Sequence, residues 1–335
     1  MQRINWIDWV KTWCMMVVVF CHLPQQEDAF YLQYLSSVIL STFFFVSGYL
    51  KKPSESQKES LRKYFYCLII PYFIYNAIFY PYWIAKTYIE QGGLLTFSDC
   101  MKPIIGTLLG QLDSCYSCQL NGVTWFLISL FIMHWITDIC NRQKNEKTWM
   151  LCISIIAILL YGANKYYHYA PYLSFHGLVR CICFFFMGNL LRNTCYLKEV
   201  CFKKDLLIGA FMLALSLLLF YWHIHESIFF THILLYFVVN ALSIFGFIHL
   251  FRTLDHIRIS LITCISYGTM VIFGLHRILI GVIDYGLEKV LNIDDISYEW
   301  HEALLLATSI CTLLYPIILF GEKNAPILLG KKIKE

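Results

Sequence analysis

Trp6-Ile7-Asp8-Trp9-Val10-Lys11-Thr12-Trp13-Cys14-Met15-Met16-Val17-Val18-Val19-Phe20-Cys21-His22-Leu23 is an apolar run of membrane-spanning length, interrupted by three ionisable side chains. A charged or ionisable group inside a membrane helix is costly, so Asp8, Lys11 and His22 are functional candidates by default. Their spacing sharpens the case. At about 100° per residue, Lys11 and His22 project within about 20° of one another, and Asp8 lies one turn below Lys11 on nearly the same face. The rise from Lys11 to His22 is about 16 Å, roughly half of a ~30 Å hydrocarbon core. One stripe thus holds an acid and a base near one membrane surface and an imidazole toward the other.

The rest of the chain has the same character. Of 335 residues, 59% are hydrophobic and 14% charged, against about 25% charged in a soluble domain; mean hydropathy is +0.60. The composition implies an all-α polytopic membrane bundle, one integral-membrane domain over residues 1–335, in contact with the lipid bilayer. Apolar runs predict about ten helices, near 6–24, 30–50, 64–88, 123–140, 149–163, 174–191, 205–223, 228–251, 262–284 and 303–321. Residues 103–111 read as a reentrant piece or a continuation of the fourth helix. No small-x-small cleavage site follows Val19, so the first helix is expected to be retained.

The net charge of +4 calls for no nucleic-acid partner, since basic cytoplasmic loops produce the same excess. With the N-terminus in the cytoplasm, twenty Lys and Arg fall on inside segments, four on outside ones, and Arg180 and Arg277 within helices. Both termini are therefore expected in the cytoplasm of a multi-pass cell-membrane protein. Most of the 14 cysteines sit in apolar runs, where Cys behaves as a small hydrophobe. Cys115 and Cys118 form a C-x-x-C in a polar stretch, which permits a disulfide if that loop is extracytoplasmic. No metal site is expected without a second pair.

Arg3-Ile4, Trp6-Ile7-Asp8, Lys11 and His22 together resemble the first helix of the membrane acyltransferase-3 family, whose main signature is a basic residue, ten intervening residues and a His. Later stretches resemble the family in order and spacing. Phe43-Phe44-Phe45-Val46-Ser47-Gly48-Tyr49-Leu50 is similar to its Phe-Phe-x-x-Ser-Gly-Tyr/Phe-Leu. Arg62-Lys63 and Leu68-Ile69-Ile70-Pro71-Tyr72 are similar to its basic run before Leu-x-x-Pro-Tyr, with Cys67 where an Arg is frequent. Trp125-Phe126-Leu127, Phe184-Phe185-Phe186-Met187-Gly188-Asn189, Leu275-His276 and Pro326-Ile327-Leu328-Leu329-Gly330 complete the pattern, with Arg277 in place of the Pro that usually follows Leu-His. The resemblance implies O-acetylation of a cell-surface glycan or lipid-linked sugar, with acetyl-coenzyme A as donor, in a setting such as a bacterial inner membrane.

Each residue carries a plainer reading beside the functional one. His22 is either a packed helix histidine or the base that takes a proton from the acceptor hydroxyl; its ordinary pKa near 6.5 suits that task. The family places its essential His here. Lys11 either snorkels to the interface, with Asp8 as its i,i+3 partner, or meets the phosphates of the donor, with Arg62 and Lys63 adding to that contact. Small Ser47 and Gly48 permit close helix approach. Arg180, in an apolar run, needs a cavity or a partner: an oxyanion, a donor phosphate, Asp8, Glu27 or a helix carbonyl. His276 either makes a buried polar contact or supports His22. A secondary transporter with a buried His/Lys/Arg path is the competing class, but no repeated halves of the kind transporters show are present. The acyl group, the acceptor hydroxyl and the oligomeric state are not written in the sequence.

Overall fold

The computed structural model describes residues 3–53, 56–110, 120–167, 173–192, 194, 196–197, 199–292 and 296–331. Among these every long regular element is helical. The helices are α1 (Asn5–Cys21), α2 (Phe30–Leu50), α3 (Gln57–Tyr64), α4 (Ile70–Glu90), α5 (Phe97–Leu109), α6 (Trp125–Cys140) and α7 (Glu146–Tyr167). They continue with α8 (Phe175–Arg192), α9 (Phe202–His225), α10 (Phe229–Arg252), α11 (Ser260–Tyr267), α12 (Thr269–Leu291), α13 (Trp300–Leu313) and α14 (Tyr315–Asn324). Nine spans among the described residues are long and apolar enough to cross a membrane: 30–50, 57–90, 122–140, 146–167, 175–192, 202–225, 229–252, 269–290 and 300–324. α1, at 17 residues, stands at the short end of the spanning range. The chain is an all-α polytopic bundle. Cys115 and Cys118 lie outside the described residues.

Several boundaries depart from the apolar pattern for identifiable reasons. The stretch expected as one helix over 262–284 is two, α11 and α12, meeting at Gly268. The last span is interrupted at Leu314, ahead of Tyr315-Pro316, where Pro is tolerated only in a first helical turn. Residues 103–109 are not continuous with the fourth helix; they belong to α5, which starts in a reciprocal Thr96–Asp99 capping box and stops at left-handed Gly110 (φ +62°). The basic run 57–64 is helical, not loop. Ser56 caps it through Glu59 N–H, and a π turn at Phe65–Ile69 carries it into α4. Pro71 has no N–H for the Cys67 carbonyl and its ring would strike it; the wider turn accommodates both problems.

The chain forms two compact units. The first comprises residues 1–52, 181–269 and 297–313. Its core packs Tyr34 and Val38 of α2 against Phe220 of α9 and Val239 and Phe247 of α10, with Trp13 of α1 against the cluster. The Tyr34 hydroxyl sits 2.7 Å from Ser216 Oγ and 3.0 Å from Ser243 Oγ, which satisfies three buried polar groups at once. α9 and α10 approach closely because Gly209 and Gly246 lie at their contact.

The second unit comprises residues 53–180, 270–296 and 314–335. It holds a buried knot of short polar side chains. Asn76 Nδ2 donates to Thr124 Oγ1 (2.9 Å) and Asn121 N–H donates to Asn76 Oδ1 (2.9 Å). Asn121 Nδ2 donates to the Gly274 carbonyl (2.7 Å). The C-terminal turn docks on the Pro-Tyr stretch. Tyr75 Oη donates to Leu328 O at 2.6 Å, and the Cys67 carbonyl faces Gly330 so closely that any side chain there would collide with it.

Candidate active site

The stripe on α1 is held at its lower end by an ionic ladder within the first unit. Arg3 Nε donates to Asp8 Oδ2 at 2.5 Å and Arg3 Nη2 to Asp8 Oδ1 at 3.1 Å. Ser266 Oγ donates to the same Asp8 Oδ1 at 2.6 Å. Lys11 Nζ donates to the Ser266 carbonyl at 2.5 Å. Asp8 is therefore tied to Arg3, and Ser266 bridges it to Lys11. α11 ends at Gly268, whose N–H reaches back to Cys264 O, so the Ser266 carbonyl has no helical donor and Lys11 supplies one. Thr12 Oγ1 meets Ile262 O at 3.0 Å and Arg3 Nη2 meets Thr263 O at 3.0 Å on the same helix. Cations at a helix C-terminus are also favoured by its dipole.

At the other end of α1, His22 is the C-cap residue, at φ −98° and ψ −4°. It is half-buried, and its Nδ1 lies 2.7 Å from the Val18 carbonyl. A carbonyl oxygen only accepts, so Nδ1 carries the proton and the lone pair of the neutral ring is on Nε2. That tautomer leaves Nε2 as the ring atom able to accept a proton. The following turn is built in. Gln25 Nε2 donates to Phe20 O at 2.7 Å, Tyr31 Oη donates to Gln25 Oε1 at 3.3 Å, and Tyr298 N–H donates to Pro24 O at 2.8 Å. Beside this turn lies an apolar cleft of about 360 Å³, walled by Trp13, Met16, Val17 and Phe20 of α1, Tyr31 and Leu35 of α2, and Trp300 and Leu304 of α13. The four α1 residues follow the 3–4 spacing of one helix face.

Ser47 bonds its own helix, Oγ to Phe43 O at 2.9 Å, and its neighbour Gly48 does the packing. A Cβ at Gly48 would overlap the Phe185 carbonyl, and one at Gly188 would overlap the Phe45 carbonyl. The two aromatic-glycine stretches noted in the sequence thus face one another across an α2–α8 crossing with reciprocal glycines. Asn189 Nδ2 donates to Gly48 O at 3.4 Å, and Arg192 donates to the Lys51 carbonyl.

The remaining candidates belong to the second unit. Arg62 and Lys63 close α3, with their cationic groups 5.9 Å from the Tyr66 ring and 5.4 Å from the Tyr64 ring. Arg180 is half-buried in α8. His276 is fully buried in α12, with Nδ1 2.9 Å from the Ile272 carbonyl of its own helix, the same tautomer as His22.

One cluster was not foreseen. Asp205 in α9 is buried and accepts at Oδ1 from His249 Nδ1 (2.6 Å) and from Arg252 Nε (3.0 Å), both of α10. His249 Nε2 in turn meets Tyr196 Oη at 3.0 Å. Arg252 Nη1 donates to Leu197 O at 2.6 Å, and Nη2 to Glu199 O. An acid in the first turn of one helix with His and Arg in the last turn of the next was the available signal.

The family model described as acyltransferase domain, that of acyltransferase family 3, matches residues 4–325. Neither the curated proteins nor the solved structures contain a match.

Proposed function

The chain belongs to acyltransferase family 3, and on that premise we propose that it moves an acetyl group from acetyl-coenzyme A, taken from the cytoplasmic side, to a hydroxyl of a cell-surface glycan or lipid-linked sugar. The observation that carries this reading is the fixed tautomer of His22. With Nδ1–H committed to Val18 O, Nε2 is the ring atom that accepts the acceptor's proton as its oxygen attacks the thioester carbonyl. The carbon–sulfur bond then breaks, and the proton is returned to the departing thiolate. A positioned base of this kind is worth about 10²–10⁴-fold in rate. The residues around Lys11 hold α1 and α11 together at the donor end. The apolar cleft beside the His22 turn supports an acceptor presented on a hydrocarbon tail.

The test is mass analysis of surface glycan from cells with and without this protein, alongside a reaction of purified protein with isotope-labelled acetyl-coenzyme A. Label appearing on glycan or lipid-linked sugar, only with the protein present, supports the reading. Identical glycan acylation in both cell types, together with no transferred label, overturns it.

A further inference from the structure

A second cleft, of about 370 Å³, lies at the opposite end of α1 from His22, with Arg3, Asn5, Trp6, Leu197, Asp255 and Arg258 in its walls. Its walls are backbone segments clamped in place. Asn5 Nδ2 reaches the carbonyls of Asp255 (2.8 Å) and Ile257 (2.5 Å), and Trp9 Nε1 reaches Ile257 O at 3.0 Å. On the facing wall Arg252 grips the carbonyls of Leu197 and Glu199.

The charges in and behind this cleft sort into committed and uncommitted groups. Asp255 Oδ1 accepts Trp6 N–H at 2.8 Å, capping the start of α1. Arg252 is spent on Asp205 and the backbone. Arg192 is bonded to the Lys51 carbonyl and Lys11 to the Ser266 carbonyl. Two guanidinium groups are left to face the cavity. Arg3 uses Nε and Nη2 on Asp8 and Thr263 O, and Nη1 has no hydrogen-bond partner among the described residues. Arg258 is exposed and has neither ion pair nor hydrogen bond among them. A guanidinium held by a carboxylate on one edge and open on the other is a preorganised phosphate contact.

We propose that this cleft binds the phosphate-bearing head of the acyl donor, with Arg258 and the open edge of Arg3 as the phosphate contacts. The assignment rests on the acyl-transfer reading above, and it moves donor recognition from Lys11, Arg62 and Lys63 to the junction of the α1 entry with the segment 254–258. The shared chemistry is a phosphate polyanion. A phospholipid headgroup offers the same chemistry, and the test separates the two.

The experiment measures binding of coenzyme A itself, with no acceptor present, to full-length protein in neutral detergent. Arg258→Ala is expected to raise Kd about tenfold, as loss of one charge-assisted contact does. Arg258→Glu is expected to raise it further, and Arg258→Lys to lie between wild type and Ala. In the transfer reaction the penalty of Arg258→Ala should appear in KM with acetyl-coenzyme A and vanish with acetyl-pantetheine, which has no nucleotide. Unchanged coenzyme A affinity in both Ala and Glu variants overturns the proposal. If those variants instead lose co-purifying anionic phospholipid, the cleft is a lipid site and the proposal is likewise overturned. Because binding is read without transfer, failure of the acyl-transfer reading leaves a different signature: intact coenzyme A binding that depends on Arg258, with no acetyl product.

Discussion

A histidine at a helix C-cap sees both the last carbonyls of its helix and the space beyond it. His22 uses one ring nitrogen on Val18 O and thereby orients the other. Substituting Ala removes the proposed base without adding charge at a half-buried position. His22→Ala should lower acetyl transfer by at least about 100-fold, and His22→Gln, polar but not basic, nearly as much. Glycan acetylation at equal protein levels checks this, and near-normal values in both variants would make His22 a packing residue. For Lys11 the proposed task is structural. Its ammonium sits on the Ser266 carbonyl at the frayed end of α11, so Lys11→Met should cost about 1–2 kcal/mol of stability and leave coenzyme A affinity unchanged. Thermal unfolding and a binding isotherm on the same preparation separate the two effects; weakened binding without lost stability would return Lys11 to the donor site. At this scale the sequence suggests the stripe, because eleven residues at helical pitch is a local quantity. It did not expose Ser266, which lies more than 250 residues from its partners and carries no pattern of its own.

Helix crossings explain why the aromatic-glycine stretches occur. In a bilayer, apolar side chains gain little by leaving lipid, so close backbone approach drives association and favours glycine. Gly48 and Gly188 each face a carbonyl of the opposing helix with no room for a methyl group. Gly188→Ala should therefore destabilise by about 1–3 kcal/mol, the range for overpacking. A methyl group on Gly286 of α12 would meet no atom within 4 Å, so Gly286→Ala should hold or slightly raise the melting temperature, since Ala outperforms Gly in a helix. Melting curves of the two variants in one detergent give the comparison, and equal shifts would remove the crossing as the cause. Element ends were the least legible part of the sequence. Hydropathy averages over a whole run, so it joined α11 to α12 across Gly268 and passed over Leu314. The π turn before Pro71 was invisible for a related reason: its signal is a single missing N–H, whereas the apolar run continues through it.

For the molecule as a whole, topology turns on α1. The nine spans that satisfy length and hydropathy would put the termini on opposite sides; with α1 the number is even and both termini share a side. α1 has 17 residues, a rise of about 25 Å, somewhat short of the ~30 Å hydrocarbon core but within the range known to span. The charge distribution favours the even count. On the even count twenty of the Lys and Arg residues would fall on the side of the N-terminus and four on the other, and an odd count would mix these groups. The asymmetry is a property of the sequence alone, because it sums many residues and tolerates boundary errors of several positions. The prediction is that reporter fusions in the loop between α2 and α3, and after Glu322, report a cytoplasmic location, while a fusion between α12 and α13 reports the opposite face. A reporter active only in the cytoplasm and one active only outside should give mirror-image results at all three points. A cytoplasmic signal from the α12–α13 loop would show that α1 lies along the membrane and that the two termini are on opposite sides of the bilayer.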